Sequence, residues 1–341
     1  MSGDDPLPIV RIAGDGVGPE LVAGGSRVIE ALGVPVRWID AEAGYGAYER
    51  HGTTAPQATL DALREHRVAI KGPFRTPSGG TVRSANHHLR LGLDLFACLR
   101  PLPLVPGGPA VLLVRDNVED LYRAIEWMAT PDVAQALKIA TRDGCLRLVR
   151  HAFEVARADG RARVTLVHKA NNLKLTEGLL LDSAREVAAE FPGIEFRDML
   201  SDTAAATMVL APEQFDVLVT THTVGDILSS LGAALAGSLG LVGSLDSGHG
   251  IYVAEAGHGS ADELAGSGRV NPVGFLRGVA LLLAAIGRGA DEQALTAALD
   301  AWSAAGPRTI DLGGAASTAD VVDHICAEVG TRRTATARAR S

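Results

Sequence analysis

Residues 9–20, IVRIAGDGVGPE, decide the fold class. Ile9-Val10-Arg11-Ile12-Ala13 is a short β-type run, the glycines at 14, 16 and 18 demand a turn, and a helix-like stretch follows through Leu32. Strand, glycine turn and helix in immediate succession open an α/β protein. The spacing is G-x-G-x-G, not the G-x-G-x-x-G of a Rossmann turn, and no Lys-Ser/Thr pair makes it a P-loop. Taken alone, the turn reads as a tight βα connection that uses glycine dihedrals.

The same alternation continues down the chain. Buried strands are expected at 68–70, 110–114, 164–167 and 215–220, and helices at 59–65, 144–158, 176–191 and 273–286. Short apolar strands separated by helices predict a largely parallel sheet. Residues 130–143 fit neither pattern and read as an arm. Residues 331–341, TRRTATARARS, carry four arginines and no large apolar side chain, and are expected to be a disordered tail.

Composition narrows the function. A chain of 341 residues has room for two domains or one large unit. Its net charge of −8 argues against a nucleic-acid partner held by bulk charge, and 4% aromatic residues argue against a base-stacking platform. Cys98, Cys145 and Cys326 are far apart and form neither a zinc-type pair nor a disulfide framework, as suits a cytoplasmic protein. No apolar run approaches the ~18 residues of a membrane helix, so no membrane partner is expected. MSGDDPLP lacks the basic start and apolar stretch of a signal peptide.

The polar clusters that suggest chemistry begin in residues 71–101, KGPFRTPSGGTVRSANHHLRLGLDLFACLRP. Lys71, Ser84, Asn86, Arg90 and Arg100 lie there among glycines and prolines, and Arg115 follows in VRDNVEDLY. Arginines at strand ends and loops form bidentate pairs with carboxylates or phosphates, although any one of them also reads as a surface salt bridge. Tyr122 and Lys169 suit an acid and a base at a carbonyl-forming centre, or a core aromatic and a solvated lysine. Asp202, at the start of SDTAAATMVL, and Asp226, in HTVGDILSS, offer hard oxygen ligands for a divalent cation, or N-caps. HGSADELAGSGRVNP, residues 258–272, supplies a glycine-rich loop where backbone N–H groups approach a pyrophosphate, with His258 set against an adenine.

Six motifs in order, GDGVGPE, KGP with RSANHHLR, CLRP, VRDNVEDLY with IEW, VHKANNLKLTEG, and GDILSS with HGSADELAG, resemble the isocitrate/isopropylmalate dehydrogenase family of metal-dependent β-decarboxylating hydroxyacid dehydrogenases. The resemblance runs from Ile9 to about Gly314. It implies an α/β fold of two domains without a Rossmann fingerprint: a large discontinuous domain over 1–97 and 248–330, and a small domain over 98–247 with a dimerisation arm near 130–143. It makes Arg90, Arg100 and Arg115 the clamp for malate-like carboxylates. Lys71 and Asn171 join them as substrate-binding residues, while Ser84 and Asn86 choose the substrate's variable group and lean toward the isocitrate type. Tyr122 becomes the acid that protonates the enolate, and Lys169 the base supplied across a homodimer with shared active sites. Asp202, also from across the dimer, and Asp226 become ligands of Mg2+ or Mn2+. Glu255, His258, Gly259, Ser260, Ala261, Glu263 and Asn271 become the cofactor-binding set. Glu263 stands where a carboxylate accepts from ribose hydroxyls and repels a 2′-phosphate, and Leu264 replaces a tyrosine of the NADP pattern, so NAD is the expected cofactor.

The departures from the pattern matter as much. Ser230 stands where the family has a second Asp one turn after Asp226, so cation charge compensation falls by one. Thr221-His222-Thr223 replaces an Asn loop, His87-His88 replaces small apolar residues, and Gly257 precedes His258 where a larger residue is usual. The leading expectation is NAD-dependent oxidation of a malate-type, isocitrate-like 2-hydroxyacid with β-decarboxylation. The rivals are a non-decarboxylating dehydrogenase of a phosphate-bearing or other polyanionic secondary alcohol, and a non-catalytic subunit that keeps the fold.

Overall fold

A computed structural model describes residues 5–105 and 108–340, with backbone only over 333–340. The chain divides into two units, Met1–Leu93 with Gly237–Ser341, and Asp94–Ala236. These divisions fall before the expected 97/98 and 247/248. The second differs more, because β11, Gly243–Gly248, pairs along its full length with β12, Ile251–Ala256, and belongs to the discontinuous unit.

The discontinuous unit begins with the predicted strand–turn–helix: β1 Leu7–Ile12, then α1 Gly18–Ala31. Gly14 and Gly16 take φ of +74° and +58°, the dihedrals the spacing demands. Leu21, Val22, Val28 and Ile29 form the buried stripe of α1. β2 Val36–Ala41, α2 Tyr45–His51, α3 Gln57–His66, β3 Val68–Lys71 and α4 Ala85–Gly92 follow. The strand order here is β2-β1-β3-β12-β11. All pairs are parallel except β11–β12, which departs from the expected parallel pattern because a two-residue turn joins them. His249 and Gly250 both have positive φ, +51° and +75°, as such a hairpin turn requires. Helices α9 Val273–Ala285, α10 Gly289–Ala305 and α11 Thr318–Arg340 complete the unit, and α9 packs on β11 and β12.

The expected tail at 331–341 is corrected by α11, whose backbone is helical to Arg340; Ser341 lies outside the described residues. Alanine and arginine are strong helix formers, and the i, i+4 pair Glu328–Arg332 supports the turn on which the segment builds.

The continuous unit contains β4 Ala97–Leu102, β5 Val111–Asp116, β6 Glu126–Thr130, β7 Val133–Ala136, α5 Arg142–Ala158, β8 Arg163–His168, α6 Thr176–Ala188, β9 Glu195–Leu200, α7 Ser201–Leu210, β10 Val217–Thr220 and α8 His222–Leu235. The order β4-β5-β10-β8-β9 is parallel except for β4–β5. Every residue of β5 and β10 is buried, as expected of strands covered on both faces. Thr141 caps α5 by accepting from Gly144 N–H at 3.0 Å. The expected arm at 130–143 is instead the hairpin β6–β7, over 126–136, and its last residues belong to α5. All residues of both hairpin strands are exposed.

Candidate active site

The discontinuous unit brings three expected residues together. Lys71 at the end of β3 donates to Glu255 Oε2 on β12. Arg90 on α4 reaches Glu255 Oε1 at 2.9 Å and, through Nε, Asp246 Oδ2 on β11 at 2.8 Å. Two cations and two carboxylates, all buried, thus balance one another. Sequence reasoning missed Asp246, because GSLDSG carries no strand-like apolar pattern. Ser84 precedes α4 without a side-chain capping bond, and the Asn86 carbonyl oxygen is buried with no partner among the described residues. His88 in the same segment shares a hydrogen bond with Thr54 Oγ1 at 2.7 Å, and burial lowers its pKa.

The expected cofactor loop leaves β12 after Ala256. Its Ser260 carbonyl accepts from Val17 N–H at 2.9 Å and binds the loop to the glycine turn. A Cβ on Gly16 would collide with that carbonyl, so the turn needs glycine for close approach as well as for φ. Burial lowers the His258 pKa and favours the uncharged ring, and its Nδ1 lies 2.9 Å from the Gly259 carbonyl. Gly259 has open space where a side chain would stand, and Ala261 adopts φ +43°. Glu263 is exposed on the 3-10 turn Asp262–Leu264. Asn271 is buried, donates to Asp311 and accepts from Val273 N–H, so its amide also caps α9. An uncharged ring and small residues fit a nicotinamide dinucleotide.

In the continuous unit, the last residue but one of β5 is Arg115, which is 1% exposed. Its guanidinium donates to Asp226 Oδ1 at 2.6 Å and to Asn117 Oδ1 at 2.9 Å. The 3-10 turn Leu121–Arg123 carries Tyr122, whose hydroxyl donates to Asp226 Oδ2 at 3.1 Å. The Tyr122 ring stacks on His222 with centroids 4.1 Å apart and planes 7° from parallel. Burial, and next the negative charge of Asp226, raise the Tyr122 pKa, so the phenol holds its proton. Arg100 on β4 is buried and donates to Ser229 Oγ at 2.8 Å. His222, Asn117 and Ser229 were not foreseen as partners.

Lys169 directly follows β8, and its ammonium lies 2.5 Å from Asp202 Oδ1 in the first turn of α7. Asn171 is exposed two residues on, and Ser230 is exposed one turn after Asp226. The side chains of Asp202 and Asp226 are 68% and 42% exposed and keep lone pairs beyond those bonded to protein. They are hard oxygen donors, which suits Mg2+ or Mn2+ held by one or two carboxylates together with water and substrate oxygens. Among the described residues no group of three or more His, Cys, Asp or Glu forms a closed metal cage.

Asp116 beside Arg115 is buried, and burial pushes its carboxyl up to about 6 despite N–H bonds from Val118 and Glu119. The folded state therefore binds the extra proton, and stability falls as pH rises between the unfolded value of 3.8 and about 6. The cost above that window is about 3 kcal/mol. Asp116→Asn removes the charge and keeps one acceptor. It is expected to exceed the wild type by about 1–2 kcal/mol at pH 7.5 and to lose the advantage near pH 4, read from denaturant midpoints. A pH-independent difference would contradict this account.

Residues 8–325 match the isocitrate/isopropylmalate dehydrogenase family model. The chain is 42% identical over 284 residues to an NADP isocitrate dehydrogenase of Thermus thermophilus, covering 81% of this chain and 57% of that relative's length. It is 38% identical to an isocitrate/homoisocitrate dehydrogenase of the same species, over 91% of this chain and 95% of the relative. The crystal structure of isocitrate dehydrogenase from Methylococcus capsulatus superposes with a TM-score of 0.91 at 40% identity, covering 95% of this chain and 99% of that one. A β-decarboxylating dehydrogenase from Thermococcus kodakarensis gives 0.84 at 35% identity, covering 94% and 96%. The motifs and the fold agree with these likenesses, and the chain belongs to the isocitrate/isopropylmalate dehydrogenase family, whose members are dehydrogenases acting on CH–OH.

Proposed function

We propose that this protein oxidises an isocitrate-like, malate-type 2-hydroxyacid with NAD and releases its β-carboxylate as CO2, working as a homodimer with shared active sites. The observation that carries the reading is the Arg115–Asp226–Tyr122 cluster, which sets a buried guanidinium and a proton-holding phenol on one carboxylate. Arg100, Arg115 and Arg90 neutralise substrate carboxylates. Lys169 Nζ, having first released its own proton to solvent, takes the proton of the substrate hydroxyl as its carbon gives up hydride. Bound NAD would supply the hydride acceptor, and a divalent cation, which Asp226 and Asp202 would hold, would supply a Lewis acid for the new carbonyl. The bond to the β-carboxylate then breaks, its electron pair forms an enolate, and Tyr122 returns a proton to the enolate carbon. Glu263, exposed on the cofactor loop, favours NAD by repelling a 2′-phosphate.

The dimer is supported by apolar side chains left in water. Trp127, Met128 and Val133 on the hairpin, with Leu121, Ile125 and Leu137 beside it, are each more than 40% exposed. An isolated hairpin with an apolar surface is marginal alone and marks an interface.

The test is NADH production with isocitrate, isopropylmalate, tartrate, malate and phosphorylated alcohols, with and without Mg2+ or Mn2+, beside a CO2 assay. Isocitrate or a close analogue is expected to give NADH and CO2 together, with NAD preferred to NADP by at least about tenfold in kcat/KM, or about 1.4 kcal/mol. NADH without CO2 would establish the non-decarboxylating alternative, which Ser230 motivates. Turnover unaffected by chelator would remove the cation from the reaction.

A further inference from the structure

We propose that Lys138 is a positioning residue that joins Asp120 and Glu177 in a buried relay, and that this relay holds the backbone segments bearing Tyr122, Asp226 and Lys169. The proposal rests on the reading of those three residues as reactive groups. It adds a part that none of the sequence motifs assigned.

The Lys138 ammonium, just beyond β7, donates to Asp120 Oδ1 and lies 2.8 Å from Glu177 Oε1. Asp120 and Glu177 are each 1% exposed. The other oxygen of each carboxylate goes to the backbone. Asp120 Oδ2 accepts from Thr223 N–H at 2.7 Å, and Glu177 Oε2 accepts from Lys169 N–H at 3.1 Å. One ammonium thus connects two carboxylates, and each carboxylate holds one segment that carries a reactive residue.

The local chemistry explains why these bonds matter. Thr221, the N-cap of α8, makes no side-chain capping bond, so Asp120 satisfies an orphan N–H that the helix cannot satisfy itself. That turn carries Asp226 one turn further on. Asp120 also immediately precedes the 3-10 turn with Tyr122 and has φ +63°, a conformation L side chains rarely adopt. Such a residue persists only where its surroundings over-determine it. Here the surroundings are Lys138, Thr223 and the bond from Asp120 N–H to the Ile139 carbonyl at 2.9 Å. Burial works against the Lys138 charge, and the bonds to Asp120 and Glu177 overcome it and raise its pKa. For Asp120, burial alone would raise the pKa, and the bonds from Lys138 and Thr223 N–H bring it below the ordinary range. Lys138 and Asp120 therefore favour their charged forms together, and the contact with Glu177 completes the buried bridge.

The experiment uses the full-length protein and compares Lys138→Met and Lys138→Arg with wild type. Amide-resolved hydrogen exchange is read at Thr223 and Lys169, with the amides of α5 and β10 as internal references. Lys138→Met is expected to speed exchange at Thr223 and Lys169 about tenfold over the references. It is also expected to lower kcat about tenfold, with KM for the hydroxyacid within about twofold. Lys138→Arg is expected to recover most of both. If Lys138→Met does not fold, Glu177→Gln, which keeps an acceptor oxygen and loses the charge, is read at the Lys169 amide, with the same acceleration expected. Exchange at these amides that follows the references in whichever variant folds overturns the relay. A loss of kcat that Lys138→Arg fails to recover also overturns it. If the wild type oxidises no hydroxyacid tested, the functional reading falls, and the exchange data still decide the relay.

Discussion

Replacing Lys169 by alanine is expected to lower kcat by about three orders of magnitude while the fold survives. The side chain is partly exposed, and its pairing with Asp202 Oδ1 at 2.5 Å is a surface ion pair of small structural worth. Removing a positioned general base costs about 10²–10⁴ in rate. Asp202 is left solvated and not buried, so the melting temperature is expected to change little. Tyr122→Phe is expected to fall in the same rate range, because it deletes the hydroxyl on Asp226 and keeps the ring stacked on His222. The two inactive variants then test the shared site. If Lys169 serves the partner's Tyr122, mixing them after confirmed subunit exchange makes hybrid dimers with one intact site, and activity returns toward about a quarter of wild type. No recovery would place both groups in one chain's site. Activity in Lys169→Ala within about tenfold of wild type would remove lysine as the base.

The parts of the fold that were legible in the sequence are those where one local signal sufficed. β3, β5 and β10 are short runs buried throughout, β8 is buried after Arg163, and α5 and α9 repeat their apolar residues at helical spacing. β2 was missed because VRWIDA has no clean burial alternation, and β11 because Gly, Ser and Asp fill a strand whose burial depends on tertiary packing. The expected arm loses its last two residues to α5, which starts at Arg142 behind the Thr141 cap. At the site, motifs marked the residues proposed as reactive, but partners remote in sequence were invisible. Arg90 reaches Asp246 across 156 positions and Lys71 reaches Glu255 across 184, and no spacing rule connects such pairs. Lys138 was silent for the same reason, as one lysine in a stretch that fitted neither helix nor strand.

Arg115→Met is expected to cost about 100-fold or more in kcat/KM for an anionic substrate, mostly in KM. A bidentate guanidinium on a carboxylate is worth about 1.5–3 kcal/mol per charged hydrogen bond, and its removal costs both bonds. Arg115→Lys keeps the charge and loses the fork, so it is expected to recover only part, about tenfold. The structural reading of Arg115 is that it merely anchors Asp226. The two readings separate because the anchored carboxylate is 42% exposed and can rehydrate when the cation is gone. A purely structural arginine would then lower the melting temperature and leave KM within about twofold. Gly225 on α8 offers an independent handle, since a Cβ there would stand 2.5 Å from Arg115 Cγ and 2.9 Å from its Cδ. Gly225→Ala therefore displaces the arginine stem without touching any charge, and alanine otherwise favours the helix. If placement of the guanidinium is what binds substrate, Gly225→Ala is expected to raise KM about tenfold with the ion pair's chemistry intact. Wild-type KM in Gly225→Ala, together with a KM change below twofold in Arg115→Met, would take Arg115 out of the substrate clamp.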